Sequence, residues 1–282
     1  MKKIILSLFV LALTYATNAQ IETPAPSPSQ KIEQQVGLTT VTVDYSRPSV
    51  KGRKIFGGLE QYGNIWRTGA NARTKITFSS DVTIAGNTVK EGTYAIFTRP
   101  NETAWDLYLY TEYKGSGAPK TLDMEKVALA LKVTPTKLPM NVETLTITFD
   151  NVTKNSAFFN VRWEEVSVGF TFTTPTDAMV TKSIATAMAG PSAQDLFSAA
   201  VYYLENDQDI NKAKVWIDTA VEMTAAQPRF WYLRQQSLVH AKAGSTKTAI
   251  TAARMSLELA KEAGNDAYIN MNITSIKEWS GM

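Results

Sequence analysis

The chain contains no cysteine and only one histidine, His240, among its 282 residues. Without cysteine there is no disulfide framework, no thiol nucleophile and no dithiol redox pair, so stability has to come from apolar burial. A single histidine also leaves little for acid–base or metal chemistry. A zinc site needs three or four N, S or O ligands, and a nucleophilic triad needs a base beside its nucleophile. His240 lies in the run Leu238-Val239-His240-Ala241 and reads as structural. No Asp-rich calcium loop with its glycine and closing glutamate is present. No catalytic set, metal site or cofactor is therefore expected. An excess of one charge is missing too: 29 Lys and Arg face 26 Asp and Glu, a net +3, which gives no electrostatic case for nucleic acid. The longest apolar run, Ile4 to Leu13, falls short of the roughly 20 residues of a bilayer helix, so no transmembrane segment is expected.

That run has another use. It follows Lys2 and Lys3 and leads to Thr17-Asn18-Ala19, whose small residues suit signal peptidase, so residues 1–19 read as a secretory signal. The mature protein is expected outside the cytoplasm, periplasmic or extracellular. Losing the two lysines takes its formal charge from +3 to +1. Residues 20–30, with Thr23-Pro24-Ala25-Pro26-Ser27-Pro28-Ser29 at their centre, read as an extended, solvated linker, because each proline fixes φ and biases its predecessor away from helix.

From residue 31 to about 175 the hydrophobic period is two. Leu38, Thr40, Thr42 and Asp44 alternate against Thr39, Val41, Val43 and Tyr45, and β-rich runs recur at 73–79, 92–98, 104–110, 126–133, 142–149, 156–164 and 166–173. Turn chemistry at Ala85-Gly86-Asn87, Glu91-Gly92, Pro100-Asn101-Glu102 and Asp150-Asn151 separates several of them. The expectation is an N-terminal antiparallel β-sandwich. Over 190–282 the period becomes helical: Leu196, Ala199, Ala200, Tyr203 and Leu204 form one stripe, and Ala213, Trp216, Ile217, Ala220 and Val221 a second. A second pair follows Pro228, with Trp231, Leu233, Leu238 and Ala241 before Gly244 and Ala249, Ala252, Ala253, Ser256 and Leu257 after it. Ile269, Ile273 and Ile276 mark a capping helix. The offset from Ala213 to Ala249 makes the pairs resemble degenerate tetratricopeptide repeats, with an ordinary pair of helical hairpins as the alternative. The fold class is thus segregated α+β.

Phosphate motifs fail on inspection. Gly58 and Gly63 are spaced as in a Walker A loop, but Asn64 and Ile65 stand where Lys and Ser or Thr belong. Gly115-Ser116-Gly117 lacks the strand-to-helix setting of a dinucleotide fingerprint. Glu164 and Glu165 read as a solvated face, and a two-carboxylate glycosidase cannot be recognised from spacing, because its acids meet only in space. What remains is the stretch from Tyr45 to Asn71, rich in arginine, glycine and aromatics and without a regular period. Arg47, Arg53 and Arg67 offer planar donors for carboxylate or phosphate, and Tyr45 and Trp66 offer flat faces. With Asn71 these six residues form the candidate ligand-binding set, for a glycan or a small anion. The competing reading is structural: the arginines staple a long loop to carbonyls and Asp44, while Phe56, Leu59 and Trp66 plug one end of the core.

The same residues carry a family resemblance. Ser27-Pro28, Val36-Gly37, Tyr45-Ser46-Arg47-Pro48, Gly52-Arg53, Ile55-Phe56-Gly57, Leu59, Tyr62-Gly63 and Trp66-Arg67-Thr68-Gly69-Ala70-Asn71 resemble DUF2911, a family of exported bacterial proteins of unknown function, and Gly92-Thr93-Tyr94 and Phe97 continue the likeness. The resemblance implies one evolutionary unit for the β region and brings no activity with it. The functional expectation is a non-enzymatic envelope protein whose β domain binds a ligand or partner and whose helices hold a protein interface. The alternatives are a carboxylate-dependent hydrolase of envelope or polysaccharide material and a purely structural protein.

Overall fold

The computed structural model describes residues 23–188 and 190–281, and the leader expected over residues 1–19 lies outside them. The chain divides into two compact units between Thr176 and Asp177.

The first unit holds ten strands: β1 (Ser29–Val36), β2 (Thr39–Ser46), β3 (Lys75–Phe78), β4 (Val82–Ile84), β5 (Asn87–Val89), β6 (Gly92–Arg99), β7 (Trp105–Tyr110), β8 (Val127–Val133), β9 (Thr136–Asp150) and β10 (Ser156–Thr173). They form an antiparallel six-stranded sheet, ordered β1-β2-β3-β6-β7-β8, and an antiparallel four-stranded sheet, ordered β5-β4-β10-β9. Alternation explains the pairing of faces. Thr39, Val41, Val43 and Tyr45 of β2 are buried, and they share one core with Leu145, Ile147, Phe159, Val161 and Phe172 of the other sheet. The expected antiparallel sandwich is therefore the observed architecture, built of two open sheets.

Two details of the strands differ from the sequence reading. The runs 156–164 and 166–173 are one strand, β10, whose register on β9 shifts between Arg162 and Val166. Ala157, Phe159, Val161 and Trp163 point inward before the shift, and Val168, Phe170 and Phe172 after it. The bulge changes odd positions for even ones, which keeps the apolar set on the core side while Glu164 takes a φ of +54°. Second, β1 starts at Ser29, inside the expected linker, and the Arg47 amide donates to the Pro28 carbonyl at 2.8 Å, while Thr23 to Pro26 are exposed.

The second unit carries α1 (Thr176–Ala187, which begins at the boundary), α2 (Ala193–Glu205), α3 (Ile210–Met223), α4 (Phe230–Lys242), α5 (Thr246–Glu262) and α6 (Asp266–Trp279). Ser192 and Asp195 form a reciprocal capping box at the start of α2, and Asp209 caps α3, so the polar turn between the two stripes also sets their ends. The α2 and α3 stripes are buried as expected, but α4 and α6 are not. On α4 the inward side chains are Tyr232, Leu233, Arg234, Ser237, Val239 and His240, while Trp231 is exposed. On α6 the buried residues are Asn272 and Ser275, and Ile273 is exposed. The α4–α5–α6 interface is a polar seam: Arg234 donates to Ser275 Oγ at 3.0 Å, Asn272 to Ser256 Oγ at 2.9 Å, and Ser256 to the Phe230 carbonyl at 2.7 Å. An apolar period cannot locate a face whose buried groups are polar and mutually satisfied. His240 is buried on Asp218, Nε2 to Oδ1 at 2.8 Å. Among the described residues no helix is long and apolar enough to cross a membrane.

Gly37 closes the β1–β2 hairpin with a φ of +59°, and a Cβ there would run into the Lys154 carbonyl oxygen and Thr176 Oγ1. Gly37→Ala adds both strain and a clash with rigid backbone, so it is expected to lower the unfolding free energy by about 2 kcal/mol or more. Urea unfolding checks this, and an unchanged midpoint would refute it.

Candidate functional site

The site lies in the long connection between β2 and β3, residues 47–74. Connections of this length without regular structure are uncommon in compact domains unless they have a function. Its first part joins the four-stranded sheet: Val50 N donates to the Glu143 carbonyl at 2.7 Å, Leu145 N to the Pro48 carbonyl at 2.9 Å, and Ser49 bridges Thr144 of β9. Its later part joins the six-stranded sheet, where Trp66 and Thr98 exchange backbone bonds of 2.7 and 2.9 Å. Between them Ile55 N and Phe56 N donate to the carboxylate of Glu164 at 3.2 and 3.3 Å. Glu164 is therefore a cap for the loop, where the sequence suggested a solvated acid.

Five of the six candidate residues spend their polar groups on the scaffold. Tyr45 is buried; its hydroxyl donates to Gln30 Oε1 at 2.7 Å and accepts from Ile147 N at 3.0 Å, and burial pushes its pKa up. Arg47 donates Nε to the Leu145 carbonyl and Nη2 to Thr146 Oγ1, both at 2.9 Å. Trp66 is buried and donates Nε1 to the Gly69 carbonyl at 3.0 Å. Asn71, at φ +56°, donates Nδ2 to the Ser27 carbonyl at 3.2 Å. Arg53 is exposed and donates Nε to the Val50 carbonyl at 2.9 Å and Nη2 to the Ser49 carbonyl at 2.6 Å. Asp44, the staple partner considered for the arginines, pairs with Lys75 at 3.9 Å instead.

Arg67 is different. Its Nε is buried without a hydrogen-bond partner, and so is Nε1 of Trp163, a side chain only 1% exposed. Both residues line one cavity of about 270 Å³, together with Arg53, Lys51, Glu60 and Gly69. Pro26 and Ser27 of the linker also line it, which the Asn71 bond to Ser27 helps to fix. The floor is set by an aromatic cluster in which Trp163 stacks on Trp66 at 5.7 Å and Phe56 meets Trp105 edge-on at 4.7 Å. Gly69 is required where it stands, because a Cβ would lie 2.6 Å from Thr74 Oγ1.

Glu60 was not among the residues singled out from the sequence. A tight turn positions it: Glu60 N donates to the Ile55 carbonyl at 2.9 Å and Gly57 N to the Glu60 carbonyl at 2.9 Å. Burial raises its pKa from 4.5 to about 7, against the opposing pull of Arg67. No local pattern marks such a residue; only its depth in the folded chain does. A wider cleft of about 670 Å³ shares Arg53 and includes Tyr62, Lys54, Glu102, Lys137 and Glu165. Its charges are largely matched, since Lys137 pairs with Glu165 at 3.2 Å and Glu164 caps the loop, and it has no buried unpartnered donor. Among the described residues no group of three or more His, Asp and Glu side chains is placed to hold a metal ion.

Fold and site together define an antiparallel β-sandwich with a charged cavity under its longest connection, followed by a helical unit. A family model described as "Protein of unknown function (DUF2911)" matches residues 27–172, just over half of the chain, and the chain belongs to that family. The matched span runs from the linker to Phe172 in β10, so every lining residue of the cavity except Pro26 lies in the family's own segment. No curated protein and no solved structure matches the chain.

Arg47→Ala removes two bonds to β9, and it is expected to cost about 1–3 kcal/mol of stability by denaturant unfolding. An effect within 0.5 kcal/mol, near the ordinary surface range, would contradict a scaffold role. Glu60 holds its proton more tightly folded than unfolded, so its contribution turns unfavourable as pH rises from 4.5 through about 7. Glu60→Gln is thus expected to be more stable than wild type at pH 8 and to lose that advantage below about pH 5. Calorimetric melting across that range is the check, with parallel curves for the two proteins as the contrary result.

Proposed function

We propose that this is an exported, non-enzymatic binding protein whose β unit takes a small anionic ligand at Arg67. The observation that carries the reading is a cavity lined by Arg67, Lys51 and Arg53, in which Arg67 makes no ion pair and its Nε, like Nε1 of the neighbouring Trp163, is buried without a partner. A buried donor left unpaired costs about 1–3 kcal/mol, so a ligand that binds the Arg67 guanidinium offsets part of the cost of holding that side chain half-buried. Carboxylate and phosphate oxygens are suitable acceptors, and the guanidinium edge suits them geometrically. Tyr45, Arg47, Arg53, Trp66 and Asn71 then serve by holding the connection that shapes the cavity. Export rests on the leader read over residues 1–19. The helical unit is the part proposed to meet another envelope protein, since stacked helical hairpins present extended surfaces.

The hydrolase reading draws on Glu60, whose pKa of about 7 suits a general acid or base. Carboxylate-dependent glycoside hydrolysis needs a second acid nearby, and among the described residues Glu60 is the one carboxylate that lines the cavity. Binding is accordingly the better supported of the two.

The test is calorimetric titration of the purified protein with acetate and with inorganic phosphate, beside Arg67→Met. At least one anion is expected to bind, with affinity reduced tenfold or more in the variant, about 1.4 kcal/mol, while the melting temperature stays within a few degrees. Equal binding by both proteins, or none by either, would sink the proposal.

A further inference from the structure

We infer that the ligand of the Arg67 cavity is a small zwitterion of amino-acid size, its carboxylate received by the Arg67 guanidinium and its ammonium by Glu60. The inference rests on the anion-binding reading above and narrows it.

Opposite charges that line one cavity usually join in an ion pair. Here Glu60 and Arg67 do not: neither side chain makes a hydrogen bond or ion pair with any described residue. The cavity thus presents an acceptor and a donor that each lack a partner, which fits a molecule carrying both complementary groups. Other ligand classes fit less well. A phosphate or dicarboxylate brings two negative charges beside Glu60, and like charges at such range repel. A simple monocarboxylate satisfies Arg67 but leaves Glu60 without a donor. A volume of about 270 Å³ lies just below the roughly 300–1,000 Å³ of sites for drug-sized molecules, which favours a ligand smaller than a nucleotide or an oligosaccharide. Leu59, Pro48, Ala70 and the Trp163 indole supply apolar wall for a short side chain.

The other charged groups of the cavity do not overturn this balance. Arg53 has already committed Nε and Nη2 to backbone carbonyls, and Lys51 is exposed. Among the described residues no histidine and no second carboxylate lines the cavity, so Glu60 is the group that titrates there near neutrality. The two ligand classes therefore predict opposite pH dependences. A zwitterion needs Glu60 ionised, so its affinity rises as pH passes upward through about 7. A bare carboxylate is repelled by the same charge, so its affinity falls.

The experiment is calorimetric titration of the whole protein with L-alanine, 4-aminobutanoate and propionate at pH 6 and pH 8, and of Glu60→Gln and Arg67→Met at pH 8. At least one amino acid is expected to bind tenfold or more tighter than propionate at pH 8 and to gain affinity from pH 6 to pH 8. In Glu60→Gln that amino acid should lose tenfold or more while propionate gains. Arg67→Met should lose all three. If propionate binds as tightly as both amino acids and weakens with rising pH, the zwitterion is wrong and the anion site stands. If no probe binds, both readings fall. The pH comparison uses unaltered protein, so it decides the matter even if a variant does not fold.

Discussion

The chain leaves β2 in the six-stranded sheet at Ser46 and within four residues is paired to β9, the edge of the four-stranded sheet. It returns at Trp66 to pair with Thr98 of the first sheet. A single connection thus clamps both sheets at one end of the sandwich and covers an edge that would otherwise present unpaired N–H and C=O groups. Arg47 extends the clamp with two side-chain bonds to β9, and the buried Tyr45 hydroxyl adds another between β1 and β9. The aromatic cluster of Phe56, Trp66, Trp105 and Trp163 can be dry and close-packed because the backbone above it is satisfied.

The cavity is a by-product of that clamp. Once Trp66 is inserted, Arg67 must follow it into the same partly buried layer, and the tight turn at Gly57 to Glu60 brings a carboxyl to the same space. Two groups that would each prefer water are held where water is scarce, and the rise in the Glu60 pKa is the direct expression of that. Natural proteins tolerate such costs chiefly where a ligand removes them. The rigid elements around the cavity matter for the same reason, since β9, β10 and the arginine staples leave its walls little freedom to collapse onto the charges.

The helical unit follows a different logic. Its first two helices join through apolar stripes, but α4, α5 and α6 meet across Arg234, Ser256, Asn272 and Ser275, with alanines at Ala249, Ala252, Ala253 and Ala260 letting the helices approach. A satisfied polar seam is specific in register, because a shift of one residue leaves several buried groups unpaired.

Much of this was legible in advance where it depended on local periodicity. The alternation along β2, the turn at Ala85-Gly86 and the stripes of α2 and α3 reflect backbone geometry that acts over a few residues, so composition and spacing reveal them. The same holds for the density of arginine and aromatics between Tyr45 and Asn71, which marked the long connection between the sheets but not which of its residues turn to the scaffold. The inward face of α6 escaped, because its buried groups are polar, as did the unity of β10, because its bulge exchanges the inward parity. By itself the sequence determined the sandwich, the helical tail and the segment worth inspecting. Only the tertiary structure decided that Tyr45, Arg47, Arg53, Trp66 and Asn71 turn to the scaffold while Arg67, Trp163 and Glu60 converge on a cavity. Trp163 stands nearly a hundred residues from Arg67, and whether a donor is satisfied depends on what the rest of the chain brings beside it.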